Sequence, residues 1–133
     1  MNKKIKFSLH LCLLLFILSS CSQSAYNELV GNGRDEHGCL TSAGYQWSYA
    51  KNDCIRTWEA GTRLESPKET IFVVFSKDSV FAEIFASKHK SILCKRTKNK
   101  NEWTPAKGKE RVSISNGVIN VYYNHYNFTT PVK

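Results

Sequence analysis

The hydrophobic pattern changes rhythm along the chain. Lys3, Lys4 and Lys6 precede an apolar run over residues 7–18 that only Ser8 and His10 interrupt, the layout of a basic head and apolar segment in an export signal. The fourteen residues from 7 to 20 would span about 21 Å as a helix, short of a hydrocarbon core of roughly 30 Å, so a signal peptide over 1–20 is expected rather than a permanent span. Residues 21–34, with Ser, Gln, Asn and a Gly31-Asn32-Gly33 break, predict a tether.

After Ser66-Pro67 the period shortens to two. Residues 71–75 form an unbroken apolar run fitting a buried strand, and Ser76-Lys77-Asp78-Ser79 a polar turn. The segment 80–85 places Phe81, Glu83 and Phe85 on one face and Val80, Ala82 and Ile84 on the other. A third strand is expected over 90–96, then a charged loop over 98–109 containing Trp103 and Pro105. Two strands over 111–115 and 118–123 flank Asn116-Gly117, a dipeptide that suits a tight hairpin. Residues 48–52 predict one helical turn and nothing longer. The expected fold is therefore mainly β: an antiparallel meander or small barrel of about five strands over 67–133, forming one globular unit with a disulfide-stapled segment over 35–66.

Leu18-Ser19-Ser20-Cys21 resembles the lipobox of bacterial lipoprotein precursors, in which an aliphatic residue, two small ones and a cysteine close the signal. The resemblance implies a diacylglycerol on the Cys21 thiol, cleavage just before it and acylation of the new amino group. Two or three acyl chains satisfy the requirement for stable anchoring. Ser22 follows, not the Asp that retains such proteins in the inner membrane of enteric bacteria, so the outer membrane is expected where the cell has one.

Loss of 1–20 removes three of nineteen Lys and Arg and none of eleven Asp and Glu, leaving sixteen against eleven and a formal charge of +5 over 113 residues. A domain of that size has its own core and still gains from a covalent staple. Cys12 leaves with the signal and Cys21 takes the lipid, so Cys39, Cys54 and Cys94 remain for an oxidising compartment. Cys39 to Cys54 is the expected bridge, with Cys94 to either of them as the alternative.

Cys39, Ser42, Ala43, Gly44, Tyr45 and Trp47, followed by Cys54, Ile55, Arg56, Trp58 and Glu59, are similar to a short cysteine motif of small exported bacterial proteins. That pattern often carries a further cysteine after the first Trp and another after the Trp-Glu pair. Here Ser48 stands at the first site and no cysteine lies near Gly61, which leaves Cys39 with Cys54 and implies a stapled fold more than an activity. The lipobox, the strand pair around Phe75 and Phe81, and Trp103 before the closing hairpin are also loosely similar to the membrane-bound inhibitors of C-type lysozyme, lipoproteins with a small β-barrel. A +5 charge opposes that partner, because lysozyme is itself cationic.

Catalytic constellations are not evident. His37, His89 and His125 are widely spaced, adjacent Asp35, Glu36 and His37 match no metal-ligand spacing, and Ser42 lacks the Gly-x-Ser-x-Gly elbow. Cys94 lies beside Lys95 and Arg96, which would lower its pKa, and supports a third reading as a small thiol-dependent enzyme. Lys88, Lys90, Lys95 and Arg96 are the anion-binding candidates, with a solvated, Lys-guarded strand edge as the plainer account. Tyr122 and Tyr126 are candidate contact aromatics, and Trp47 and Trp58 a packing lid over the bridge. The expectation is a non-enzymatic cell-envelope lipoprotein without cofactor or metal. Its expected partners are the membrane, through Cys21, and an envelope protein or anionic envelope polymer, not nucleic acid.

Overall fold

The computed structural model describes residues 33–130; the expected signal over 1–20, Cys21 and nearly all of the tether lie outside the described residues. Period-two alternation builds the core. In β3 (Thr62–Glu65), β4 (Thr70–Phe75) and β5 (Phe81–Ala86), the inward residues are Leu64, then Ile71 and Val73, then Ala82 and Ile84. They continue as Cys94 from β6 (Ile92–Arg96), Trp103 from β7 (Glu102–Pro105), Val112 from β8 (Arg111–Ser115), Val121 and Tyr123 from β9 (Val118–Tyr123), and Phe128 from β10 (Tyr126–Thr129). These eight strands pair antiparallel with their sequence neighbours, and β10 returns to β3 through Thr129 and Glu65 to close a barrel. Eight strands enclose a space that side chains can fill, and every residue of this cluster is at most 5% exposed. Burying a side chain such as Phe128 contributes about 1.5–3 kcal/mol.

Closure also needs tight reversals. Asn116 and Gly117 both adopt positive φ, 51° and 78°, as expected for a two-residue hairpin. Asn124 and His125 do the same between β9 and β10, at 47° and 66°. Asn and His are among the non-glycine residues that tolerate this region best, so His125 serves the turn.

Three expectations need correction. The barrel has eight strands, not about five, because β3 and β10 add two short strands and β7 lies inside the expected loop over 98–109. What makes β7 a strand is Trp103, 2% exposed, whose indole N–H donates to the Ser79 carbonyl at 2.9 Å. Residues 48–52 do not form a helical turn. β1 (Gln46–Ser48) and β2 (Asp53–Ile55) pair as a hairpin, with Ser48 Oγ accepting the Lys51 N–H at 3.1 Å and Asn52 at φ 53°. The one α-helix among the described residues is α1 (Thr57–Ala60), a single turn.

The expected disulfide is present: Cys39 and Cys54 are bonded, with Cα atoms 5.5 Å apart. It ties β2 to a turn that Asp35 organises by accepting the His37 and Cys39 N–H groups at 2.9 and 2.8 Å. The stapled hairpin lies on the outside of the barrel, where Ile55 packs with Val74, Phe85 and Phe72 in a second apolar cluster.

Candidate functional site

Outward parity on β5 points Glu83 away from the barrel core and under the hairpin, where it is 0% exposed. Its Oε2 accepts the Ser48 hydroxyl at 2.7 Å and the Ala50 N–H at 3.0 Å, and its Oε1 accepts the Ser91 hydroxyl at 2.6 Å. Two of the three donors come from the hairpin, so one carboxylate fixes the hairpin turn to the barrel wall. Donors on both oxygens offset the cost of burying the carboxylate.

Above this anchor sits an aromatic group. His37 stacks on Trp47 with ring centroids 4.7 Å apart and planes at 15°, and Tyr49 meets His37 edge-on at 5.7 Å with its hydroxyl 3.4 Å from Nε2. With Asp35, Glu36, Gln46, Lys90 and Ser91 they line a shallow cleft of about 310 Å³. The sequence predicts packing for Trp47 and no metal-ligand spacing for His37. Their approach depends on the hairpin register that pairs Trp47 with Cys54, which the sequence did not reveal. Trp58 differs from the expected lid: it is 56% exposed, with its ring over Gly44, at φ 81°, where any Cβ would collide with it.

The basic candidates separate. Lys88 and Lys90 lie in the β5–β6 connection, whereas Lys95 and Arg96 lie at the far end of β6, beside the β4–β5 turn where Arg96 N–H donates to Val80. Six residues of extended chain put about 20 Å between Lys90 and Arg96. Within β6, Arg96 shares the inward parity of Cys94 while Lys95 faces out with Leu93. The two tyrosines also part. Tyr126 turns toward the core, and its hydroxyl and ring engage Lys68, raising that ammonium's pKa above the ordinary value through the hydrogen bond. Tyr122 faces outward.

Around Tyr122 the register assembles a second cleft, of about 370 Å³, lined by Lys109, Arg111, Ser113, Asn120, Tyr122 and Asn127. Arg111 pairs with Tyr122 and Tyr122 with Asn127, while Ser113 pairs with Asn120 in the adjoining row. Glu102 holds Arg111 Nε at 3.4 Å. Alternation in β8 was the available signal, since Arg111 and Ser113 share one parity.

Cys94 reverses an expectation. It is 0% exposed, and burial, followed by the charges of Glu110 and Glu83, pushes the thiol from an ordinary 9.0 up to about 12, whereas its neighbours Lys95 and Arg96 were expected to lower it. A thiol raised this far holds roughly a thousandfold less thiolate at neutral pH. Native protein is expected to leave Cys94 unlabelled by iodoacetamide at pH 8 and to label it fully in urea; labelling at equal rates would contradict this. Because the folded pKa lies above the unfolded one, this contribution to stability is fully present below pH 9.0 and is lost as pH rises toward 12.

His89 lies exposed in the β5–β6 turn and Ser42 exposed in a 3-10 turn at Thr41–Ala43, and neither is among the residues lining the His37 cleft. No three His, Cys, Asp or Glu side chains gather in metal-holding geometry among the described residues. No known protein family, curated protein or solved structure matches the chain.

Proposed function

We propose that the protein is a non-enzymatic cell-envelope lipoprotein, anchored through Cys21, whose barrel is a binding module presented at a membrane surface. The observation that carries this reading is a barrel whose interior is filled by its own side chains while its clefts open on the outer wall. Recognition then belongs to the outside of the barrel, and ligand storage within it is disfavoured. The barrel's strands, four to six residues long, fall well short of the nine to eleven that a membrane-spanning strand needs, and Arg63, Glu65, Lys95 and Arg111 are exposed on them. In this reading attachment is through the lipid, as the lipobox resemblance of Leu18-Ser19-Ser20-Cys21 implies. Cys94 is sealed in the core, which argues against the thiol-enzyme alternative.

The test is retention of native envelope material by the full-length protein immobilised in detergent. Saturable capture of an envelope component, reduced by substitutions in one of the outer clefts, is expected. Absence of any saturable capture would overturn the reading. The eight-stranded closed barrel keeps inhibition of a lysozyme-like hydrolase as the second reading, since the lysozyme inhibitors it loosely resembles have a small β-barrel. Slowing of lysozyme by the purified full-length protein would favour that reading over the first.

A further inference from the structure

We propose that the outer face of β8, β9 and β10 binds an acidic saccharide, a sugar chain bearing carboxylate or phosphate groups. The inference rests on the binding-module reading and gives it a site and a ligand class. Three adjacent strands present one continuous row from Arg111 to Tyr122 to Asn127 and a second from Ser113 to Asn120. Most side chains of the cleft carry hydrogen-bond donors: a guanidinium, an ammonium from Lys109, two amides and two hydroxyls.

Such a face discriminates by chemistry. The amides and hydroxyls are the groups that pair with sugar hydroxyls, and the half-buried Tyr122 ring offers a flat surface for a sugar's C–H face. Lys109 and Arg111 add two positive charges, and a guanidinium grips carboxylate or phosphate in two-point fashion. Glu102 is the neighbouring acid; its carboxylate meets Nε of Arg111, so it orients the guanidinium while occupying one side of the fork. Glu110, next in sequence to Lys109, has the opposite strand parity, and its carboxylate folds over Gly108. The volume of about 370 Å³ lies within the range of small-molecule sites, roughly 300–1,000 Å³. Strand pairing pre-orders the face, so little conformational freedom is lost on binding.

The alternative aromatic cleft is less selective for an anion, since Asp35 and Glu36 accompany its single Lys90. That contrast favours the Arg111 face over the aromatic cleft for an anionic ligand. The charge contribution acts in solvent and weakens as the screening length falls to about 8 Å at 0.15 M salt.

The test uses full-length protein in uncharged detergent micelles, titrated calorimetrically with oligogalacturonate, neutral dextran, inorganic phosphate and phosphatidylglycerol vesicles. Oligogalacturonate is expected to bind, more weakly at high salt, with dextran much weaker. Arg111→Ala and Tyr122→Ala should each weaken it roughly tenfold or more, the loss of one charge-assisted or stacking contact. Trp47→Ala, in the other cleft, should leave it unchanged, and circular dichroism checks that each variant is folded. Equal affinity for dextran, binding to phosphatidylglycerol vesicles alone, no binding of oligogalacturonate, or affinity unmoved by both β8–β9 substitutions would each overturn the proposal. Capture of native envelope material that survives Arg111→Ala and Tyr122→Ala but not Trp47→Ala would overturn this site and leave the binding-module reading standing.

Discussion

Glu83→Ala is expected to destabilise the fold by about 3–5 kcal/mol. The substitution strands the buried Ser48 hydroxyl and Ala50 N–H and the half-buried Ser91 hydroxyl, all donors to one carboxylate. Each orphaned buried group costs roughly 1–3 kcal/mol, and the vacated volume adds a cavity cost. Rotation of the half-buried Ser91 hydroxyl toward water recovers part of the loss. Glu83→Gln should cost less, about 1–2 kcal/mol, because an amide still accepts from the hairpin and only the charge-assisted share is lost. Urea unfolding followed by tryptophan fluorescence measures both. A Glu83→Ala midpoint equal to that of the unaltered protein would contradict the role of this carboxylate in seating the hairpin.

Opening the Cys39–Cys54 bridge comes next in size. The residues are fifteen apart in sequence, and closing a loop of that length stabilises by about 3 kcal/mol in the chain-entropy account. The Cys39→Ala, Cys54→Ala double variant and the dithiothreitol-treated protein are expected to show the same reduction, since both release β2 from the Asp35-capped turn. Cys94 is already a free thiol, so reductant adds no second effect. A treated sample whose mass confirms reduction but whose unfolding midpoint is unmoved would contradict the assignment of stability to the staple.

The longer strands were legible from an unbroken apolar run over 71–75 and from two or more apolar residues at alternate positions in the others. Residues 71–75, 111–115 and 118–123 all became strands close to their expected bounds, and the Asn116-Gly117 turn took the expected positive φ values. The three strands that were missed have one fully buried residue apiece, Leu64 in β3, Trp103 in β7 and Phe128 in β10. In β3 and β7 one apolar residue in four does not define a period, β10 offers only Tyr126 and Phe128, and Pro105 and the surrounding lysines made β7 read as loop. Barrel closure, which is a long-range pairing of β3 with β10, leaves no local trace.

The clefts were harder still. Glu83 shared a face with Phe81 and Phe85 in sequence, which is a poor place for a charge until the hairpin supplies its three donors. The Arg111 face needs the register of three strands to bring Lys109, Asn120 and Asn127 together, whereas the basic candidates close in sequence divide, Lys88 and Lys90 before β6 and Lys95 and Arg96 at its far end. Proximity along the chain overstated one patch and concealed another. Of the sequence-derived candidates, Tyr122 enters the proposed saccharide face, Lys90 lines the aromatic cleft, and Tyr126 is occupied with Lys68.

The central proposal is that this barrel, with strands of four to six residues, is held at the membrane by a lipid on Cys21. Growing cells with radiolabelled palmitate and comparing the natural chain with Cys21→Ala tests it directly. The account predicts label on the natural chain, recovered in the membrane fraction, with no label on Cys21→Ala and its release from that fraction. Equal labelling and equal membrane recovery of both chains would contradict it.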